Sequence, residues 1–185
     1  TFGTQKADEL TWKMALDVYS CTECGRCQTH CPTYVTGKPL SHKALNMTIK
    51  NHLLEQVDVL AKGPEHREEL PDLVPDVISA DTIWACTTCG WCETACPVFI
   101  ENVPRIVDMR RHEVLMKSEF PQEATRVFKG METQGNPWGL GASSRADWAE
   151  RHDVPTVDEN PEFECLWFVG CAGAYDERQK KVSQA

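Results

Sequence analysis

The sequence predicts a mainly α-helical fold built around two cysteine runs, with an α/β unit beginning near its C-terminal end. Three observations carry this. Apolar residues recur at four-residue spacing in several segments, the spacing of one helix face. The run Cys21-Thr-Glu-Cys24-Gly-Arg-Cys27-Gln-Thr-His-Cys31-Pro32 is written again as Cys86-Thr-Thr-Cys89-Gly-Trp-Cys92-Glu-Thr-Ala-Cys96-Pro97. Late in the chain, Cys165-Leu-Trp-Phe-Val-Gly170 is a short, continuous apolar run, the signature of a buried strand.

The elements follow in order. Residues 7–19 place Leu10, Met14 and Val18 on one stripe and form a helix that delivers the chain to Cys21. A second helix runs from the N-cap Ser41 to Leu60, with Leu45, Ile49, Leu53, Val57 and Leu60 facing inward, and Gly63-Pro64 stops it. Residues 65–81 are acidic and broken by Pro71 and Pro75, which reads as a loop leading to Ile83-Trp84 and the second run. A helix over 104–117 has Ile106, Met109 and Glu113 along one side and Arg105, Arg110, Arg111 and His112 on other faces, which read as solvated. Another amphipathic helix spans 121–133, ended by Gly135-Asn-Pro-Trp-Gly139, and a polar, acidic arm leads to Glu164. The apolar run 165–170, with a helix around Tyr175–Lys181 after it, then reads as strand, turn and helix. The expected domains are residues 1–120, a linking segment 121–160 and an incomplete α/β unit 161–185.

The cysteine runs carry the chemistry. Each is the C-x2-C-x2-C-x3-C-P pattern that wraps a cubane iron–sulfur cluster. Eight of the twelve positions are identical at a constant offset of 65 residues, so the runs are a duplication and predict two equivalent sites. Three thiolates at two-residue gaps let a short loop fold over three corners of a cluster, and Gly25 and Gly90 allow the backbone to approach closely. In two-cluster ferredoxins the fourth cysteine ligates the other cluster. The assignment is therefore Cys21, Cys24, Cys27 and Cys96 to the first [4Fe-4S] cluster, and Cys86, Cys89, Cys92 and Cys31 to the second. Structural zinc sites use two close pairs with a long gap between them, unlike four cysteines in eleven residues followed by Pro. A disulfide framework needs an oxidising compartment, and no secretory signal precedes the runs. Cys165 reads as a buried structural residue.

Composition narrows the classes. A formal charge of −9 excludes a general nucleic-acid grip, which wants clustered Lys and Arg. Two oxidised cubanes with their thiolates add about two negative charges each, so redox partners are expected to present basic surfaces or share one complex. The longest apolar stretch, near Leu166–Ala174, is far short of the roughly 20 residues of a membrane helix. The chain begins without Met and ends within what reads as a helix, which suggests a piece of something longer.

The duplicated motif, separated by a helical insert and followed in its first half by Gly37-Lys-Pro-Leu-Ser41, resembles the α-helical ferredoxin domain, carrying two [4Fe-4S] clusters, of several respiratory complexes. Asn136-Pro-Trp-Gly139, Arg145-Ala-Asp-Trp148 and Phe168-Val-Gly-Cys-Ala-Gly-Ala-Tyr-Asp-Glu-Arg178 are similar to membrane-associated iron–sulfur oxidoreductases related to the heterodisulfide reductase catalytic subunit. The resemblance implies a cytochrome b-like membrane domain with haem b and cysteine-rich CCG-type domains with a further cluster, all outside these 185 residues, and makes residues 161–185 the start of a CCG-type α/β domain. Cys171 matches the Gly-Cys that opens the CCG motif and is a candidate further ligand. The implied function is an oxidoreductase's electron relay from a soluble donor, electron-transfer flavoprotein in some members, to the quinone pool. Its implied place is cytoplasmic, at the inner face of the cell membrane as part of a complex. A freestanding ferredoxin-like carrier or scaffold subunit of a heterodisulfide reductase-type complex is the alternative. No acid, base or nucleophile is grouped for catalysis, so no catalytic residue is expected. Arg26 in the first run stands where Trp91 stands in the second, which predicts a higher potential for the cluster held by Cys24 and Cys27.

Overall fold

A computed structural model describes residues 2–150 and 152–185. The chain divides into two compact units, Thr1–Phe120 and Pro121–Ala185. Among the described residues the secondary structure is helical, and the one β-type contact is an isolated bridge between Lys6 and Asp72.

In the first unit, a 3-10 turn Ala7–Glu9 precedes α1 (Trp12–Tyr19), which starts where Thr11 accepts a hydrogen bond from the Met14 N–H. The first cysteine run contains the single-turn α2 (Arg26–Thr29) and leads into α3 (Pro32–Val35), which has Pro at its tolerated first position. Ser41 caps α4 (His42–Glu55) through the Ala44 N–H. The long helix expected to Leu60 breaks at Gln56, and in α5 (Val57–Lys62) beyond it Val57 is 55% exposed. Ser79 caps α6 (Ala80–Trp84), and the second run contains α7 (Trp91–Thr94). The last helix of this unit, α8 (Asn102–Lys117), ends at Ser118 in the left-handed conformation.

The core of this unit joins Val18 of α1, Leu45, Ile49 and Leu53 of α4, Leu73, Val74 and Ile78 from the connecting segment, Ile83 of α6, and Ile106 and Met109 of α8. Cys86 belongs to the same cluster. The apolar core therefore reaches up to the second cysteine run and anchors its first residue.

The second unit has α9 (Ala124–Gln134), a 3-10 stretch Ala142–Ala149, α10 (Cys171–Tyr175) and α11 (Glu177–Ser183), the last capped by Asp176 through the Arg178 and Gln179 N–H groups. Its small core is Trp148, Ala174 and Tyr175. The strand expected over 165–170 does not form: Leu166, Trp167 and Phe168 are 63, 59 and 83% exposed. A lone extended run has no neighbouring strand among the described residues to pair its N–H and C=O groups. For the same reason Cys165 is exposed, where the sequence suggests a buried residue.

Candidate iron–sulfur centre

The two cysteine runs fold into the same loop twice. Glu23 and Thr88, at equivalent places, take left-handed backbone with φ of 57° and 54°. Gly25 and Gly90 follow at 80° and 76° and become the N-caps of α2 and α7. Glycine adopts this conformation freely, whereas Glu23 and Thr88 each cost roughly 1 kcal/mol or more, a strain that persists only where the surroundings demand it. The turn brings the Thr88 N–H onto Cys86 Sγ at 3.4 Å, and beyond the second run the Ile100 N–H donates to Cys96 Sγ at 3.3 Å. Such donors offset negative charge on sulfur.

The pairing of the loops crosses the sequence. Cys21, Cys24 and Cys27 of the first run and Cys96 of the second line one recess, walled also by Lys43, Asn46, Ile100 and Asn102. The charge on Cys27 is coupled to Cys21, Cys24 and Cys96, and that on Cys86 to Cys31 and Cys89. Cys92 feels the charge of Cys86 and also that of Cys27, and α2 packs on α7, so the two groups adjoin there. Cys31, Cys86 and Cys92 are buried, while Cys24 and Cys89, the second cysteine of each run, are exposed.

The surroundings hold these loops rigidly. Thr33 Oγ1 donates to the Ala85 carbonyl at 2.9 Å, tying the residue after Cys31-Pro32 to the residue before Cys86. Arg110 donates from Nε to the Ile83 carbonyl at 2.9 Å and from Nη2 to the Cys86 carbonyl at 2.6 Å, with its guanidinium 5.1 Å from the Trp84 ring centroid. Glu93 accepts from the Val103 N–H at 2.8 Å, so the second run caps α8. The Lys50 ammonium pairs with Glu23. His30 and Trp91 meet edge to face at 5.2 Å.

Electrostatics show what these thiols need. Burial pushes the Cys92 thiol up to about 12, helped by the charges of Glu93 and Cys86, with an Asn102 hydrogen bond opposing. Burial likewise pushes Cys27 up to about 11, with Cys21 adding to it. Cys24 is lowered, chiefly by the Arg26 N–H. Buried thiols of this kind become thiolates only beside a strong positive centre. Among the described residues no three His, Cys, Asp or Glu side chains converge on a point as a single-ion site requires. Four soft sulfurs ringing a recess instead suit a larger thiolate-bound body, and the residues fit an iron–sulfur cluster.

Sequence reasoning missed the inward polar residues of α8. Asn102, Arg105 and His112 are buried, and Arg105 is wholly so, although its face reads as solvated in the sequence. The signal is present in the spacing, because 102, 105 and 112 lie on the helix face that carries Met109. In the second unit, Cys171 is half-buried at the start of α10, where Arg145 donates to its Sγ at 3.7 Å and to the Val169 carbonyl at 3.0 Å.

A duplicated, strained loop that rings a recess with four sulfurs belongs to the class of iron–sulfur proteins, and residues 17–100 match the family model described as a 4Fe-4S dicluster domain. Beyond that domain, the chain is homologous to proteins named as iron–sulfur oxidoreductases and as components of heterodisulfide reductases. It is 38% identical over its whole length to the EtfAB:quinone oxidoreductase of Syntrophomonas wolfei, of which it spans 29%. With the probable membrane-anchored ferredoxin of Chromohalobacter salexigens it shares 30% identity over 99% of its own length and 29% of the relative's. A component of the dihydromethanophenazine:CoB--CoM heterodisulfide reductase of Methanosarcina barkeri is 27% identical over 91% of this chain and 40% of that relative. No solved structure matches the chain. The chain is thus related to these iron–sulfur oxidoreductases and spans about a third of their length.

Proposed function

We propose that this chain is the two-cluster relay of a larger, membrane-associated oxidoreductase that passes single electrons between a soluble donor, electron-transfer flavoprotein, and the quinone pool. Cys21, Cys24, Cys27 and Cys96 hold one [4Fe-4S] cluster, and Cys86, Cys89, Cys92 and Cys31 the other. The observation that carries this is the recess lined by three cysteines of the first run and the fourth of the second. The donor and acceptor come from the name of the Syntrophomonas relative, and the membrane from that of the Chromohalobacter one. Among the described residues no helix is long and apolar enough to cross a membrane. The proposal gives the anchor, with any haem b, to a cytochrome b-like part of the larger protein.

When bound, the two clusters supply reversible one-electron transfer. The chain's own residues do the rest. Cys27 on α2 and Cys92 on α7, two helices in contact, form the short path between the sites. The core around Ile49, Ile83 and Ile106 keeps water from their buried side. Cys24 and Cys89 mark the two exposed edges at which redox partners approach. The formal charge of −9 favours partners with basic faces.

The test is freeze-quench EPR on the full-length protein, mixed anaerobically with reduced electron-transfer flavoprotein and then with a quinone analogue. Both cluster signals are expected to rise and decay within the turnover time. Clusters that stay silent through turnover contradict the relay.

A further inference from the structure

Arg105 of α8 is completely buried, and its surroundings do not satisfy it. One terminal nitrogen, Nη2, donates to Asn102 Oδ1 at 3.0 Å and to Asn46 Oδ1. Among the described residues, Nε and Nη1 have no partner. The carboxylate whose charge acts on it, Asp17, is already committed: Lys13 holds it at 2.7 Å and the Glu101 N–H donates to it at 3.2 Å. Burial lowers the guanidinium to about 10, against the pull of Asp17, Cys21 and Cys92, so it remains a cation at neutral pH. A buried cation with two unpartnered nitrogens is strongly disfavoured unless an anion compensates it.

The placement says where that anion is. Asn46 and Asn102, which hold the guanidinium, are themselves walls of the recess ringed by Cys21, Cys24, Cys27 and Cys96. The two thiols within its electrostatic reach belong to different groups, Cys21 to the first and Cys92 to the second. We infer that Arg105 is the buried countercharge shared by both clusters, a positioning residue whose free N–H groups serve cluster sulfur and whose charge raises both reduction potentials. This rests on the two-cluster reading above. Reduction adds an electron, so a nearby fixed cation favours the reduced form. Arg26 also stands beside a ligand, but it is exposed and its charge is screened by solvent, whereas that of Arg105 is not.

The experiment compares full-length wild type with Arg105→Lys and Arg105→Met, measuring iron and sulfide first and midpoint potentials by EPR-monitored titration second. Arg105→Met is expected to cut the reduced-to-oxidised ratio of both clusters about tenfold at a fixed potential, ~59 mV for a one-electron couple. Arg105→Lys, which keeps the charge, should stay within about a third of that shift. Full clusters with unchanged potentials in Arg105→Met overturn the inference. Should that variant fail to assemble, 15N-labelled arginine in an Arg26→Lys background decides: nitrogen hyperfine coupling to a reduced cluster supports the contact, and its absence overturns it. Absence of cubane signals from wild type itself would defeat the two-cluster reading instead.

Discussion

His42 shows how far a single residue here depends on its surroundings. It is 3% exposed, its Nδ1 has no hydrogen-bond partner among the described residues, and burial, with Arg105 nearby, lowers it to about 4. The unfolded chain binds a proton near pH 6.5 that the folded chain refuses until about pH 4, so stability is present above pH 6.5 and lost as pH falls toward 4. Between pH 7 and pH 5 the loss amounts to about 2 kcal/mol. Urea denaturation across that range should show it in wild type and not in His42→Phe; equal slopes in the two proteins refute the assignment. Arg105 and His42 together mean that two of the groups packed behind the recess are polar and buried, which hydropathy alone does not reveal.

At the scale of elements, the helices were legible because their signals are local. Ser41 caps α4 as expected, Gly63-Pro64 ends α5, and Leu45, Ile49 and Leu53 are buried on one face. The break at Gln56 was not legible, since the apolar spacing continues through it. The strand at 165–170 failed for a non-local reason: pairing needs a partner strand, and composition cannot supply one. α8 was placed correctly and read wrongly on one face, because Arg is counted as solvated until a buried anion explains it. Arg110 makes the point testable, as it pins the carbonyls of Ile83 and Cys86 at the end of α6. Arg110→Ala leaves those carbonyls without their charged donor and should cost about 2–3 kcal/mol, with the Cys86-bearing site losing iron first under chelator challenge. Thermal unfolding and EPR during chelation check this; identical melting and equal loss from both sites contradict it.

Across the whole molecule, the cysteines were the most legible feature, because a metal-binding run announces itself in eleven residues while a core does not. Their grouping is a tertiary property. Fifty-four residues separate Cys31 from Cys86, and the fold closes that distance through Thr33 and Ala85 and through the contact of α2 with α7. In the proposed assignment each group draws on both runs, so neither loop would be complete without the other, and metal binding would contribute to folding of the unit as a whole. The second unit carries Cys171 and Arg145 on a much smaller core, and the chain as a whole spans under a third of the quinone-linked relative. The most direct test of the central claim is EPR of the four single variants Cys24→Ser, Cys96→Ser, Cys89→Ser and Cys31→Ser. Crossed ligation predicts that Cys24→Ser and Cys96→Ser alter one cluster signal while Cys89→Ser and Cys31→Ser alter the other; Cys96→Ser altering the same signal as Cys89→Ser contradicts it.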